Sequence, residues 1–224
     1  MTDLKNFLNN LDEKLNINQL DAIKHEDGPA LVLAGAGSGK TRVLTIKIAS
    51  LIKNKKCGTN ELLALTFTNK ASKEMIFRIS QILSSKLDFP WMGTFHSISY
   101  KILRMNFELL KGNYNSNFSI YDPTDQLKII KNIIKINDLD LNKYEPSRIR
   151  GKIDSLKNSL LYDEWEFVDD KEEQIIKTYQ SKIESLNAMD FGDLILKFYE
   201  PVSYTHLRAH ETDSYLVCRL LLEK

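Results

Sequence analysis

A segment rich in glycine, followed by a lysine and a hydroxyl, runs from Ala34 to Thr41 and reads AGAGSGKT. Glycines allow backbone N–H groups to turn inward around phosphate oxygens, and a helix that begins there adds the positive end of its dipole. In such loops the lysine reaches the β- and γ-phosphates of a nucleotide, and the hydroxyl is a ligand of Mg²⁺. Ala34 stands where the strict motif has glycine, so the segment fits the relaxed form of the motif.

These residue types predict a site for the polyphosphate of a nucleotide. We expect Lys40 and Thr41 to be the catalytic residues and Thr41 to be the Mg²⁺ ligand. The nucleotide-binding residues of the loop are expected to be Ala34, Gly35, Ala36, Gly37, Ser38, Gly39, Lys40 and Thr41.

A phosphate loop of this kind needs a strand before it and a helix after it, and the flanking residues predict both. Residues 30–34 form a short, unbroken apolar run, as in a buried parallel strand, and residues 41–53 carry apolar side chains at helical spacing. Strands alternating with helices predict an α/β fold with a parallel sheet covered on both faces. The alternation continues with strands predicted at residues 62–67 and 91–95 and helices at residues 69–83 and 98–110.

The pattern changes after Lys111, and from there to Glu200 we predict helices and no strand. Asp122-Pro123 is a good helix start, because aspartate can cap and proline suits the first helical position. Further helices are predicted near residues 145–160 and 171–186. This stretch therefore predicts an all-helical subdomain inserted into the α/β unit.

The composition is that of a globular protein, with 42% hydrophobic and 27% charged residues. The net charge of +1 gives no overall basic field, so any contact with nucleic acid must come from a local surface. The two cysteines, Cys57 and Cys218, are far apart and form no CxxC pair, which argues against a disulfide scaffold or a zinc site. We find no signal-peptide core and no run of about 18 apolar residues, and expect a cytoplasmic protein without a membrane span.

Four further segments accompany the phosphate loop in a fixed order. LNINQLDAI precedes it, and ALTFTNKASKEM, GTFHSI and MDFGDLI follow it. In order and spacing, the five segments resemble the amino-terminal part of the UvrD/Rep/PcrA family of superfamily 1 DNA helicases, from Leu15 to about Glu200. The resemblance implies a RecA-like P-loop NTPase fold, with an incomplete parallel sheet here. It also implies ATP and Mg²⁺ as cofactors and single-stranded DNA as partner.

The resemblance assigns nucleotide contacts to two residues outside the phosphate loop. Gln19 is expected to read adenine, since a side-chain amide matches both the donor and the acceptor on that base. Arg42 matches a family arginine that is expected to lie near the nucleotide. The alternatives are a polar surface position for Gln19 and a solvated helix position for Arg42.

Two segments are expected to contact single-stranded DNA. In the first, Phe67 is expected to stack on a base, while Thr68 and Asn69 bind phosphates. The alternative is that Phe67 belongs to the core and Asn69 caps the following helix. The second segment supplies Thr94, Phe95 and His96 as a further DNA contact.

The segment MDFGDLI contains the tripeptide Asp190-Phe191-Gly192, which also occurs in protein kinases. No kinase glycine-rich loop or HRD segment accompanies it, so the helicase interpretation is better. By resemblance, the segment leads the chain from the inserted helical subdomain back to the ATPase core. Asp190 and Asp193 are expected to be structural or coupling residues and not catalytic ones.

Hydrolysis requires more than a phosphate loop. An acidic residue must help to hold Mg²⁺, and a polar group must orient the attacking water. No apolar-apolar-Asp-Glu segment follows Glu200. The only Asp-Glu pair after the phosphate loop, Asp163-Glu164, lies in the region predicted to be helical, which is the wrong position for the family. The second RecA-like domain of the family is also missing. We therefore expect that this chain, taken alone, does not unwind DNA.

The segment 201–224 differs in composition from the rest of the chain. Residues 1–200 contain 22 isoleucines and 17 asparagines, and residues 201–224 contain neither. We expect this segment to be a non-family tail, similar to strings that adapter readthrough joins to truncated proteins in assembled sequence data. His206, His210 and Glu211 lie in it, but they lack a further ligand and do not predict a zinc site.

The sequence therefore predicts four segments: a RecA-like ATP-binding core in residues 1–110, a helical subdomain in 111–188, a return segment in 189–200, and the tail in 201–224. The favoured hypothesis is the amino-terminal part of an ATP-dependent DNA helicase. The family resemblance implies that this helicase translocates 3′ to 5′. A fragment of a helicase-nuclease subunit is one alternative. A truncated module that binds nucleotide or DNA without turnover is the other.

Overall fold

The computed structural model describes residues 15–25, 28–110, 112–159, 167, 169–203 and 217–218. The helices are α1 (Ile17–Lys24), α2 (Lys40–Lys53), α3 (Asn69–Ile82), α4 (Phe95–Met105), α5 (Pro123–Ile136), α6 (Pro146–Ser159), α7 (Asp170–Ser185) and α8 (Phe191–Ser203). The strands are β1 (Leu63–Thr66), β2 (Met92–Thr94), β3 (Ser119–Tyr121), β4 (Ala188–Asp190) and β5 (Val217–Cys218). Short 3₁₀ helices cover Thr59–Glu61 and Phe107–Leu109.

The chain divides into two units. The first comprises Met1–Ile98 together with Asp213–Lys224, and the second comprises Ser99–Thr212. The second unit thus begins at Ser99, before the Lys111 at which the sequence suggests a change of rhythm, and it includes the MDFGDLI segment. The limits of the family's own subdomains stay a prediction.

The first unit contains a parallel three-stranded sheet in the order β2-β1-β5. Strand β1 pairs with β2 so that Thr66 lies opposite Thr94, and the helices α3 and α4 follow directly after these two strands. The predicted α/β alternation is therefore confirmed for this part of the chain. Apolar side chains of α1, α2, α3 and the strands form its core, which contains Ile23, Leu44, Ile46, Ile48, Ala49, Leu62, Ala64, Met75, Ile79, Phe89 and Met92.

The prediction of a strand at residues 30–34 is wrong. The segment forms no strand, and the exposed fractions of Leu31 and Leu33 are 69% and 79%. An apolar run forms a buried strand only when neighbouring strands take up its backbone hydrogen bonds and cover its side chains. No strand of the described residues pairs with this segment.

The second unit has a helical core, and its helices agree with the prediction. Asp122 caps α5 by accepting hydrogen bonds from the backbone N–H groups of Thr124 at 2.7 Å and Asp125 at 2.9 Å, with Pro123 in the first turn. The main apolar cluster lies among α5, α6 and α7 and contains Ile130, Ile133, Ile134, Tyr144, Ile149, Ile153, Ile175, Ile176, Tyr179, Ile183 and Ala188.

The prediction that residues 111–200 contain no strand is wrong. Strands β3 and β4 form a parallel pair in the second unit, in which Ile120 lies opposite Met189. Each strand has only three residues, which is too short for a periodic pattern to be visible in the sequence. In the part of the chain that the structure describes, no helix has the length and apolar character needed to cross a bilayer.

Candidate nucleotide and nucleic-acid site

The phosphate loop ends in two glycines with left-handed backbone angles. The φ angles are 74° at Gly37 and 84° at Gly39, a region that glycine enters without steric cost. Helix α2 begins at Lys40, and Gly39 provides no side-chain cap. The N–H groups of the first helical turn have no acceptor within the helix, so they are available to an anion.

Two side chains of the loop bind its own backbone. Lys40 Nζ donates to the carbonyl oxygens of Ala34 and of Gly35, the latter at 2.9 Å. Ser38 Oγ also donates to the carbonyl oxygen of Gly35, at 2.7 Å. These bonds keep the Lys40 ammonium against the loop, where the sequence places the phosphates.

Gln19 reaches the phosphate loop from α1. Its side-chain Nε2 donates to the carbonyl oxygen of Ser38 at 3.1 Å, and its Oε1 accepts from the N–H of Asn16 at 3.0 Å. Asn16 Oδ1 accepts in return from the N–H of Gln19, so the two residues form a capping box at the start of α1. A Cβ atom added to Gly39 would lie 3.1 Å from Gln19 Nε2, so the close approach depends on glycine.

The residues of the loop fit a nucleotide with Mg²⁺. A Cβ atom added at Gly35 or Gly37 would meet no atom within 4 Å, so the backbone is open to a ligand on these sides. Thr41 is exposed in the first turn of α2, next to Lys40, and Arg42 follows it, half-buried. Nine of the ten expected nucleotide contacts, residues 34–42, therefore lie in the loop and the first turn of α2.

The expected DNA contacts lie at one edge of the sheet. Strands β1 and β2 are parallel neighbours, so the residues that follow them are placed side by side. Phe67 follows β1 and is 82% exposed, and Phe95 follows β2 and is 45% exposed. The alternative that Phe67 belongs to the core is therefore wrong, and both rings are accessible at this edge.

The threonine hydroxyl groups at this edge also accept hydrogen bonds from the first turns of the helices that follow. Thr68 Oγ1 accepts from the N–H of Ala71 at 3.1 Å, so Thr68 caps α3 and Asn69 is the first exposed residue of that helix. The capping alternative for Asn69 is thus wrong, because Thr68 has this role. Thr94 Oγ1 accepts from the N–H of Ser97 at 3.2 Å in a similar way before α4. Two helix N-termini face this edge, as suits contacts with phosphate groups.

His96 lies in the first turn of α4 and is exposed overall. Partial burial of the ring lowers its pKa below the usual value of 6.5, because burial disfavours the charged form. The ring is therefore neutral near pH 7 and has one donor and one acceptor nitrogen. A neutral imidazole can form hydrogen bonds with a ligand but no ion pair with an anionic group.

A sequence model of the UvrD/REP helicase N-terminal domain matches residues 15–218. The chain belongs to the UvrD/REP helicase family. The match extends past Glu200, although the resemblance was expected to end at about that residue. It includes β5, which pairs with β1.

Relatives of this UvrD/REP helicase domain include the proteins named ATP-dependent DNA helicase PcrA of Staphylococcus epidermidis and Staphylococcus aureus. Each is 40% identical over 195 residues, which cover 84% of this chain and 26% of the relative. The chain thus spans about a quarter of the length of these relatives.

The MDFGDLI segment of this helicase domain forms a buried ionic cluster in the second unit. Lys157 Nζ lies 2.6 Å from Asp190 Oδ2 and 2.9 Å from Asp193 Oδ1, and Tyr179 donates to Asp190 at 2.9 Å. Lys157, Tyr179 and both carboxylates are almost fully buried. A Cβ atom on Gly192 would lie 3.0 Å from Lys157 Cδ, so glycine allows α6 to approach. These contacts support a structural interpretation of the two aspartates.

Lys157 and Tyr179 could not be predicted as partners of the MDFGDLI segment, since nothing in their spacing links them to it.

Within the described residues, no group of three or more His, Cys, Asp or Glu side chains could hold a metal ion. The pair Asp163-Glu164 and the tail residues His206, His210 and Glu211 lie outside the described residues.

Proposed function

We propose that this chain is the ATP-binding and DNA-binding part of an ATP-dependent DNA helicase. The observation that carries the proposal is the arrangement at the start of α2, where Lys40 and Gln19 both bind the backbone of a loop with two left-handed glycines. Gln19, which is proposed to recognise adenine, and Lys40, which is proposed to bind phosphate, thus both form hydrogen bonds with one short loop. The family supports the same assignment.

In the proposed site, Lys40 and the first-turn N–H groups of α2 bind the β- and γ-phosphates, and Thr41 binds Mg²⁺ through its hydroxyl. Mg²⁺ supplies neutralisation of the charge that develops on the phosphate oxygens. Gln19 reads adenine, and Arg42 lies near the nucleotide. Ala34, Gly35, Ala36, Gly37, Ser38 and Gly39 form the loop backbone that surrounds the phosphates.

Single-stranded DNA is the proposed nucleic-acid partner. Phe67 and Phe95 offer two exposed aromatic rings on neighbouring strand ends, and stacking on such rings accepts any base. Thr68, Asn69, Thr94 and His96 supply polar groups beside them for phosphates and sugars.

Two further features of the helicase are proposals for this chain. We propose a RecA-like core with an inserted helical subdomain, and 3′ to 5′ translocation by the parent protein. The chain spans about a quarter of the length of these relatives, and we propose that it does not unwind DNA alone.

The proposal is tested by binding and hydrolysis measurements on this chain. Fluorescence anisotropy with a labelled single-stranded oligonucleotide should show binding that weakens as salt rises, because counterions are released from phosphates. The same oligonucleotide as an unlabelled duplex should compete less well. Equal competition by duplex would contradict the assignment of the Phe67 and Phe95 edge. Binding of ATP and DNA without DNA-stimulated hydrolysis would favour a module without turnover.

A further inference from the structure

Lys47 is a buried lysine of α2 that the nucleotide site does not use. Its side chain is 9% exposed, and it points at the C-terminal end of α1. Nζ donates to the carbonyl oxygen of Ile23 at 2.8 Å and also to the carbonyl oxygen of His25. Carbonyl groups in the last turn of a helix have no N–H donor within the helix, and a cation there is favoured by the helix dipole.

Helix α1 carries Gln19 and has only eight residues, Ile17–Lys24. A helix of this length is not stable by itself, so its position depends on contacts with the rest of the unit. The structure supplies contacts of α1 with α2 and its loop at both ends of α1. Gln19 binds Ser38 before α2 begins, and Lys47 binds Ile23 and His25 from the middle of α2.

The side chain of Ile23 lies at the Lys47 end of α1, because the carbonyl oxygen of the same residue accepts from Lys47. It is 2% exposed and belongs to the core of the first unit, together with residues of α2. Apolar packing fixes how closely α1 approaches α2, but it has no direction along the helix axis. The hydrogen bonds of Lys47 are directional, and they define where the end of α1 lies along α2.

We propose that Lys47 is a positioning residue of the adenine site, which holds the C-terminal end of α1 on α2 and thereby places Gln19 beside the phosphate loop. This inference rests on the proposed function, because it assumes that Gln19 reads adenine. Lys47 itself touches neither the base nor the phosphates. Its effect therefore appears in base preference more than in the affinity for the triphosphate.

The test compares the dissociation constants of fluorescent ATP and GTP analogues for five variants of this chain. In Lys47→Met the side chain stays unbranched, is shorter by one atom and loses its charge. We expect the preference for ATP to fall about tenfold, as for the loss of a hydrogen bond to a charged group. The affinity for GTP should change little, since the phosphate loop is intact. Lys47→Arg should retain the preference, because a guanidinium can donate to both carbonyl groups.

The matched control is Lys53→Met, the same substitution at the exposed C-terminal end of the same helix. It should leave both affinities unchanged. The double variant Lys47→Met with Gln19→Ala should show the same base preference as Gln19→Ala alone, because Lys47 acts through Gln19. Additive losses in the double variant would contradict the proposal.

Hydrogen exchange of the α1 amides separates failure of this inference from failure of the proposed function. We expect faster exchange in α1 in Lys47→Met, with unchanged exchange in the sheet. If α1 stays protected and the ATP preference persists, Lys47 does not position Gln19. If the unmodified chain binds ATP and GTP equally, the adenine role of Gln19 is wrong, and the positioning role of Lys47 is overturned with it.

Discussion

The side-chain amide of Gln19 donates to the carbonyl oxygen of Ser38 at 3.1 Å, across 19 residues of sequence. The residue that is proposed to read the base is thus bonded to the loop that is proposed to bind the phosphates. Since the other end of the amide accepts from Asn16, adenine must compete for both groups of the Gln19 side chain. Recognition of the base is therefore connected with the conformation of the phosphate loop.

Gly39 should be essential for this connection. In Gly39→Ala the new methyl group meets Gln19 Nε2 at 3.1 Å, at a φ angle of 84° that alanine rarely adopts. We expect weaker ATP binding in isothermal titration calorimetry. The control is Gly151→Ala in α6, where the added Cβ meets nothing within 4 Å and the helix gains about 0.5–1 kcal/mol. Equal ATP affinity in both variants would refute this role of Gly39.

Phe67 should contribute to DNA binding without contributing to stability. Its ring is 82% exposed, so truncation removes little packing, whereas loss of one stacked base costs about 1–3 kcal/mol of binding free energy. We expect Phe67→Ala to weaken binding of a single-stranded oligonucleotide at an unchanged melting temperature. Phe77→Ala is the matched control, because Phe77 is also an exposed phenylalanine, on the body of α3. A weaker complex for Phe77→Ala and not for Phe67→Ala would reverse the assignment.

Lys157 should be the most sensitive member of the buried cluster. Lys157→Met leaves the carboxylates of Asp190 and Asp193 buried without their cation, which typically costs about 3–5 kcal/mol of unfolding free energy. Burial raises the pKa of Asp193, so Asp193→Asn removes a charge that is already disfavoured and keeps the pair of Lys157 with Asp190. We expect urea unfolding to show a much larger loss for Lys157→Met. A larger loss for Asp193→Asn would contradict this ranking.

Asp169 should make the free energy of unfolding depend on pH in the acidic range. Its carboxylate accepts from the N–H of Glu172 at 2.9 Å and pairs with Lys143, and these contacts hold its pKa well below the ordinary value. For a carboxyl group whose folded pKa is lowered, the stabilisation is present above the unfolded pKa, near 4, and is lost as pH falls below it. Asp169→Asn retains the capping geometry without the charge.

The difference in unfolding free energy between the unmodified chain and Asp169→Asn should therefore be largest near neutral pH and should shrink below about pH 4. Urea unfolding monitored by circular dichroism at several pH values measures it. A difference that stays constant over this range would show that the charge of Asp169 has no stabilising role.

Local signals predicted the parts of the fold that depend on neighbouring residues. Asp122-Pro123 starts α5, and the glycines before Lys40 lead into α2, because caps and left-handed turns are formed within a few residues. The exposure of Phe67 at a strand end also follows from the alternation of strands and helices. The residues proposed for phosphate binding could therefore be located from the sequence alone.

Pairings between distant segments could not be predicted in this way. The run at residues 30–34 has the composition of a strand, but strand formation depends on partners that a local pattern does not contain. Strands β3 and β4 pair across nearly 70 residues, and Lys157 of α6 contacts Asp190 of β4. In the sequence Lys47 is one of four basic residues of α2, and its contacts are seen only in the structure, where α1 ends beside it.

The most direct test of the central claim is equilibrium binding of ATP with Mg²⁺ to this chain and to Lys40→Ala, with Lys53→Ala as the control. Lys40 donates to the loop backbone and is proposed to bind the phosphates, so its removal should abolish binding, while Lys53→Ala should bind like the unmodified chain. Circular dichroism should confirm that both variants are folded. Binding of ATP by Lys40→Ala with unchanged affinity would contradict the assignment of this loop as the nucleotide site.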